Sequence, residues 1–130
     1  MNIPRNLKYT KTHEWVRQQN DRTVVGITDY AQHEISDIVF VELPKVGQAT
    51  VQGKAICVVE SVKAAFDIYA PVSGTIKSIN TALEADPSLA NREPYGNGWF
   101  FELSPAHPEE FSSLLASDQY EEFVKEGQVK

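Results

Sequence analysis

The chain is poor in the residues that build cross-links and metal centres. It has one cysteine, Cys57, so no disulfide can close within it. Cys57 lies in the apolar run Ile56-Cys57-Val58-Val59, where it reads as a small buried hydrophobe rather than a reactive thiol. The three histidines, His13, His33 and His107, are scattered, without ligand spacing or cysteine companions, so no metal site is expected. No apolar stretch approaches the roughly 20 residues needed to span a bilayer. Met1-Asn2-Ile3-Pro4-Arg5 has neither the apolar core of a secretory signal nor the Arg/Ser-rich character of a transit peptide. A product that starts at Met1, resides in the cytoplasm and has no membrane partner is therefore expected. Positive charge is scarce as well: 12 Lys and Arg against 18 Asp and Glu give a net charge of -6. Such a chain is repelled by phosphate backbones, which excludes nucleic acid as a natural partner. Ser61, Ser73 and Ser104 have no evident base, and Gly96-Asn97-Gly98 lacks the downstream glycine and helix of a phosphate loop.

What remains is an ordinary globular balance, 42% apolar and 23% charged over 130 residues, enough for one domain and one core. Short strands punctuated by turns dominate. They are predicted at 13–17, 23–27, 38–43, 55–60, 65–70, 75–79 and 98–103, with polar Gln18 to Arg22 as the first reversal. A short helix is predicted over 28–34, with Thr28 or Asp29 as N-cap and Gln32 three residues after Asp29. Another is predicted over 80–85. The segment 107–126 reads as helical: Pro108 suits a first helical position, Phe111, Leu114 and Leu115 recur at helical spacing, and Asp118 with Glu121 resembles a capping box. Trp15, Trp99, Phe100 and Phe101 are candidate core residues. Glu109, Glu110, Glu121 and Glu122 sit at helix starts and form a candidate landing site for a basic partner. A monomer is expected, since no long apolar stripe is left over once the core is assigned.

The most informative stretch runs from Val58 to Pro71. Two apolar strands meet across Ser61-Val62-Lys63-Ala64, which is too short for anything but a tight reversal. That places Lys63 at an exposed tip with small or apolar neighbours. A turn lysine is ordinarily a solvated charge. An enzyme that acylates a lysine, however, needs it both reachable and rigidly presented, and a hairpin turn provides both.

Glu60-Ser61-Val62-Lys63-Ala64 and Tyr69-Ala70-Pro71-Val72-Ser73-Gly74 closely resemble the lipoylation site of glycine cleavage H proteins. So do Lys8-Tyr9 with His13-Glu14-Trp15, Gly26-Ile27-Thr28-Asp29-Tyr30-Ala31-Gln32, Val39-Phe40-Val41-Glu42-Leu43-Pro44, and Asn91 with Pro94-Tyr95-Gly96-Asn97-Gly98-Trp99. The resemblance runs in order from Leu7 to Tyr120. Phe66 departs from it, standing where the family more often has a small polar residue. Biotinyl sites typically resemble Met-Lys-Met, which the Val62 and Ala64 flanks do not match. Lipoyl domains of 2-oxo acid dehydrogenases are usually shorter and tethered by linkers. A relative that kept the fold and lost its lipoate is a further alternative, as is a lipoyl donor for another multienzyme complex.

The resemblance implies a barrel-sandwich hybrid of the lipoyl and biotinyl kind: two small antiparallel sheets with peripheral short helices and C-terminal helices, a single lipoyl-carrier domain over 1–130 with its hairpin at 58–70. It implies lipoate amide-linked to Lys63, with Glu60, Ser61, Val62 and Ala64 as the motif read by a lipoate-attaching enzyme. A PLP-dependent glycine decarboxylase would pass an aminomethyl group to the arm. An aminomethyltransferase would move the carbon to tetrahydrofolate and release ammonia, and a FAD-dependent dihydrolipoyl dehydrogenase would reoxidise the dithiol. The chain would be a shuttled substrate in glycine catabolism, not an enzyme. Family members hold the loaded arm in a cleft, to which the matching positions contribute Glu14 and Asp67 as acidic contacts and Ile27 as an apolar one. Glu14 is the expected partner of the cationic amine, with Asp67 second.

Overall fold

The computed structural model describes residues 1–20 and 22–129. Asp21, inside the polar reversal, and Lys130 lie outside the described residues. In chain order the elements are β1 (Lys8–Tyr9), β2 (Glu14–Gln19), β3 (Arg22–Ile27), α1 (Asp29–Ile35), β4 (Ile38–Glu42), β5 (Ala49–Thr50), β6 (Ala55–Ser61), β7 (Ala65–Tyr69) and β8 (Gly74–Ile79). There follow α2 (Ala82–Ala85), α3 (Leu89–Arg92), β9 (Phe101–Pro105), a 3-10 helix (Pro108–Ser113) and α4 (Ser117–Val129).

Every strand pairing is antiparallel, in a six-stranded sheet ordered β1-β2-β3-β9-β8-β5 and a three-stranded sheet ordered β4-β6-β7. The sheets are unequal because the N-terminal ribbon does not stand apart: β3 pairs with β9 from Thr23↔Leu103 to Val25↔Phe101 and so joins the larger sheet. Alternate residues of β6, Cys57 and Val59, turn inward and meet Ile38, Val41 and Ile68 from their own sheet and Val25, Ile27, Ile76 and Leu103 from the other. A second cluster gathers Leu7, Tyr9, Trp15, Val24, Tyr120 and Val124, which fixes α4 against β1 and β2. Trp15 anchors it by donating its indole N–H to the Pro94 carbonyl at 2.9 Å. Gly26, paired with Trp15 across the ribbon, leaves room for that ring; a Cβ there would come within 2.5 Å of it.

Local chemistry moved several boundaries. The α1 cap is Thr28, whose hydroxyl accepts the Ala31 N–H at 3.1 Å, while Asp29 takes the Gln32 side chain instead. The helix expected over 80–85 starts at Ala82, and the four-residue α3 was not foreseen, being too short to show a period. The last strand begins at Phe101 rather than Gly98. The C-terminal segment is not continuously helical, because Leu115 leaves the helix to exchange backbone hydrogen bonds of 2.7 and 2.8 Å with Tyr9. Gln119, not Glu121, reaches back to cap α4, accepting the Ala116 N–H at 2.8 Å. Trp99 is only partly buried, whereas Trp15, Phe100 and Phe101 are fully enclosed. Among the described residues no helix is long and apolar enough to cross a membrane.

Candidate functional site

The β6–β7 hairpin reverses over Val62 and Lys63, and Ser61 explains how so short a reversal is held. The Ser61 backbone N–H donates to the Ala64 carbonyl at 2.9 Å. Its hydroxyl oxygen accepts the N–H of Lys63 at 3.0 Å and of Ala64 at 3.2 Å, and its hydroxyl donates to the Ala64 carbonyl at 3.3 Å. A short polar side chain thus satisfies the donors that the ladder leaves open at its end. The tip is also moored from outside: the Val62 N–H donates to the Asp37 carbonyl at 3.0 Å, and Lys63 Nζ donates to the Glu34 carbonyl at 3.2 Å. Val62, Lys63 and Ala64 are exposed, and among the described residues Lys63 forms no ion pair. The Asp37 anchorage depends on Asn91. Its side-chain carbonyl accepts the Ile38 N–H at 2.9 Å, and its amide donates to the Ser36 carbonyl at 2.9 Å and to the Gln32 side chain at 3.0 Å.

Glu14 is fully buried, although its place on a strand beside polar loops suggests a half-exposed residue. Oε1 accepts the hydroxyls of Thr10 at 2.6 Å and Thr12 at 2.5 Å. Oε2 accepts the Tyr69 N–H at 3.1 Å, so one carboxylate ties the larger sheet to β7, an edge strand of the smaller. Burial raises its pKa above the ordinary carboxylate range, and these hydrogen bonds partly oppose the rise. Thr10, Thr12 and Tyr69 also line a hollow of about 260 Å³, with Gln52, Ala70 and Leu115 among its other walls. The Glu14 carboxylate lies behind that wall.

The residues expected to share a cleft are therefore only partly brought together. Glu14 and Ile27 are register partners across β2 and β3. Ile27 is wholly enclosed in the main core. Asp67 is exposed on the opposite face of β7 from the inward-turned Phe66 and Ile68. Phe66 is packed partly against the core, so its aromatic ring is spent on the hairpin's inner side. Thr10, Thr12 and Asn91 were not picked out as site residues. Their roles arise from contacts between segments distant in sequence, and the run of hydroxyls two and four residues before Glu14 was the one local signal.

Residues 7–127 match the family described as the glycine cleavage H-protein. The chain belongs to the glycine cleavage H-protein family. It is 52% identical over 126 residues to the glycine cleavage system H protein of Methylacidiphilum infernorum, covering 97% of this chain and 98% of that one. It is 50% identical over 125 residues to the Thermus thermophilus H protein, covering 96% and 98%. The crystal structure of an H protein from Mycobacterium marinum superposes with a TM-score of 0.83 at 33% identity, covering 97% of this chain and 99% of that one. The fold is accordingly the barrel-sandwich type of that family. H proteins are the lipoyl carriers of the glycine cleavage system and hold lipoate covalently on a lysine. The hairpin tip fits that group: it offers an exposed amine whose hydrogen bond runs to a backbone carbonyl rather than to a carboxylate, and an amide N–H on the same atom could keep that bond.

Proposed function

We propose that Lys63 is the lysine that carries lipoate, and that Glu60, Ser61, Val62 and Ala64 present it to the attaching enzyme. What supports this most is the Ser61-locked turn, which fixes the root of the side chain while leaving Nζ exposed. Residues 1–130 act as a single lipoyl-carrier domain. Its partners are the PLP-dependent glycine decarboxylase, the tetrahydrofolate-dependent aminomethyltransferase and the FAD-dependent dihydrolipoyl dehydrogenase, and the chain itself turns nothing over. Lipoate supplies a dithiolane that takes up a one-carbon aminomethyl unit as it is reduced. The protein supplies position and shelter. Glu14 gives the hollow beside Thr10, Thr12 and Tyr69 a negative field that favours a protonated amine, and Asp67 contributes a second carboxylate at the outer surface. For a cation to reach Glu14 Oε1 directly, the two threonine hydroxyls must swing away from it.

Intact-mass spectrometry of protein treated with a lipoate-attaching enzyme tests the assignment. The parent gains one lipoyl adduct and Lys63→Arg gains none, although it keeps its fold. An adduct retained in Lys63→Arg would move the site elsewhere, and a biotinyl adduct would replace the reading altogether.

A further inference from the structure

Acidic residues occur throughout the chain, but most of those around the fold are already engaged. Glu110 accepts both the N–H and the hydroxyl of Ser73, at 2.7 and 2.9 Å, and Glu121 pairs with Lys125 at 3.4 Å. Glu102 pairs with Arg22 and Asp86 with Arg92. The outer face of the three-stranded sheet is different. Its register sets Phe40, Glu60 and Ala65 in one cross-strand row and Glu42, Val58 and Asp67 in the next. Members of such a row share a face, and the neighbouring row of Val41, Val59 and Phe66 points inward. Among the described residues, Glu42, Glu60 and Asp67 form no ion pair, and neither outer row contains a base.

The same face leaves apolar surface open. Phe40 is 49% exposed, Val39 is 55% exposed at the irregularity between Ile38 and Phe40, and Val62 beside Lys63 is 68% exposed. A bulge of this kind turns outward a residue that regular alternation would hide. The patch is continuous with the hairpin tip, because Glu60 is the residue before Ser61 and Val62 is moored to Asp37, one residue before β4. Lys45 lines a hollow with Phe40, Glu42 and Glu84, but the border stays predominantly acidic, and an apolar centre with such a border is the complement of an apolar spot with a basic rim.

We propose that this face, centred on Phe40 and bordered by Glu42, Glu60 and Asp67, is the surface on which the decarboxylating enzyme seats the carrier; the inference rests on the carrier reading above. The enzyme's own chemistry supplies the basic rim. To take the carboxylate of glycine and the phosphate of PLP into one channel, it must surround them with positive charge, and such a channel extends its field to the entrance. Acylation strengthens the match, since the amide removes the Lys63 charge from the tip and leaves the carboxylates uncompensated. The unmodified carrier therefore competes weakly with the loaded one.

The test uses the full-length lipoylated protein as the varied substrate of glycine decarboxylase. Phe40→Ala raises the KM for the carrier on the order of tenfold and Glu42→Gln about threefold, both with kcat nearly unchanged. Added salt raises the parent's KM, and Glu42→Gln flattens that rise. Glu126→Gln, on α4, changes neither quantity. The proposal is overturned if Phe40→Ala and Glu42→Gln both keep the parental KM, or if Glu126→Gln matches Glu42→Gln, which would make net charge rather than this face responsible. A lipoylated parent that supports no turnover would instead remove the carrier reading, and this inference with it.

Discussion

At the scale of single residues, Glu14 carries the most physical tension. It gives up all contact with water and receives three hydrogen bonds in return, yet its pKa still rises because burial outweighs them. A carboxyl whose folded pKa lies above the unfolded value binds its proton more tightly in the folded chain. The penalty is absent below the unfolded value, near 4.5, and grows as pH rises through the folded one. Replacing it by Gln removes that slope, so urea unfolding should show the parent losing ground to Glu14→Gln between acid pH and neutrality. A gap that stays constant with pH would mean the carboxylate is not its source. If Glu14 also sets the field of the hollow, it keeps the aminomethyl nitrogen of the loaded arm protonated; once deprotonated, that nitrogen expels the thiolate and water hydrolyses the iminium to formaldehyde and ammonia, so the loaded carrier should release formaldehyde several-fold faster in Glu14→Gln. An unchanged lifetime would take Glu14 out of the shelter. The turn that holds out Lys63 was legible because a tight reversal between two apolar strands is a local pattern. The burial of Glu14 was not legible, since Tyr69 and the two threonines reach it only in three dimensions.

At the scale of elements, the connection from α1 to β4 is the most constrained part of the site. Ser36 closes α1 with φ 77° and ψ -158°, a backbone region essentially reserved for glycine. Asn91 holds it there through the Ser36 carbonyl, and the next residue, Asp37, anchors the hairpin tip. Ser36→Gly should relieve the strain and stabilise the protein by about 1 kcal/mol, partly offset by the greater freedom glycine has when unfolded. A Tm that falls instead would show that the serine side chain earns its place by a contact. The seven longer strands were readable, because alternation and turn residues are local; the two-residue β1 and β5 were not, being too short to show any alternation. Boundaries were not: Leu115 paired with Tyr9 and broke a periodicity that on its own favoured a continuing helix.

At the scale of the whole molecule, two apolar clusters share one scaffold, and α4 closes the second through Tyr120. Its hydroxyl bonds Thr28 Oγ1 and His13 Nδ1, each at 2.8 Å, so the last helix is joined to the cap of α1 and to the residue beside Glu14. Tyr120→Phe leaves both partners short of a bond and should lower stability by roughly 1–3 kcal/mol in urea unfolding. A change within error would show that water replaces the hydroxyl freely. The division into two sheets followed from the resemblance, but their unequal size did not, because the β3–β9 pairing joins segments some eighty residues apart.

A serine that freezes a two-residue bend also fixes a pivot. On the assignment proposed above, cargo hung from Lys63 sweeps a sphere about a centre that does not drift, so a partner that has gripped the body already knows where to look. Loosening the bend would not shorten the tether; it would blur its origin, and capture would slow though every atom of the cargo stayed the same.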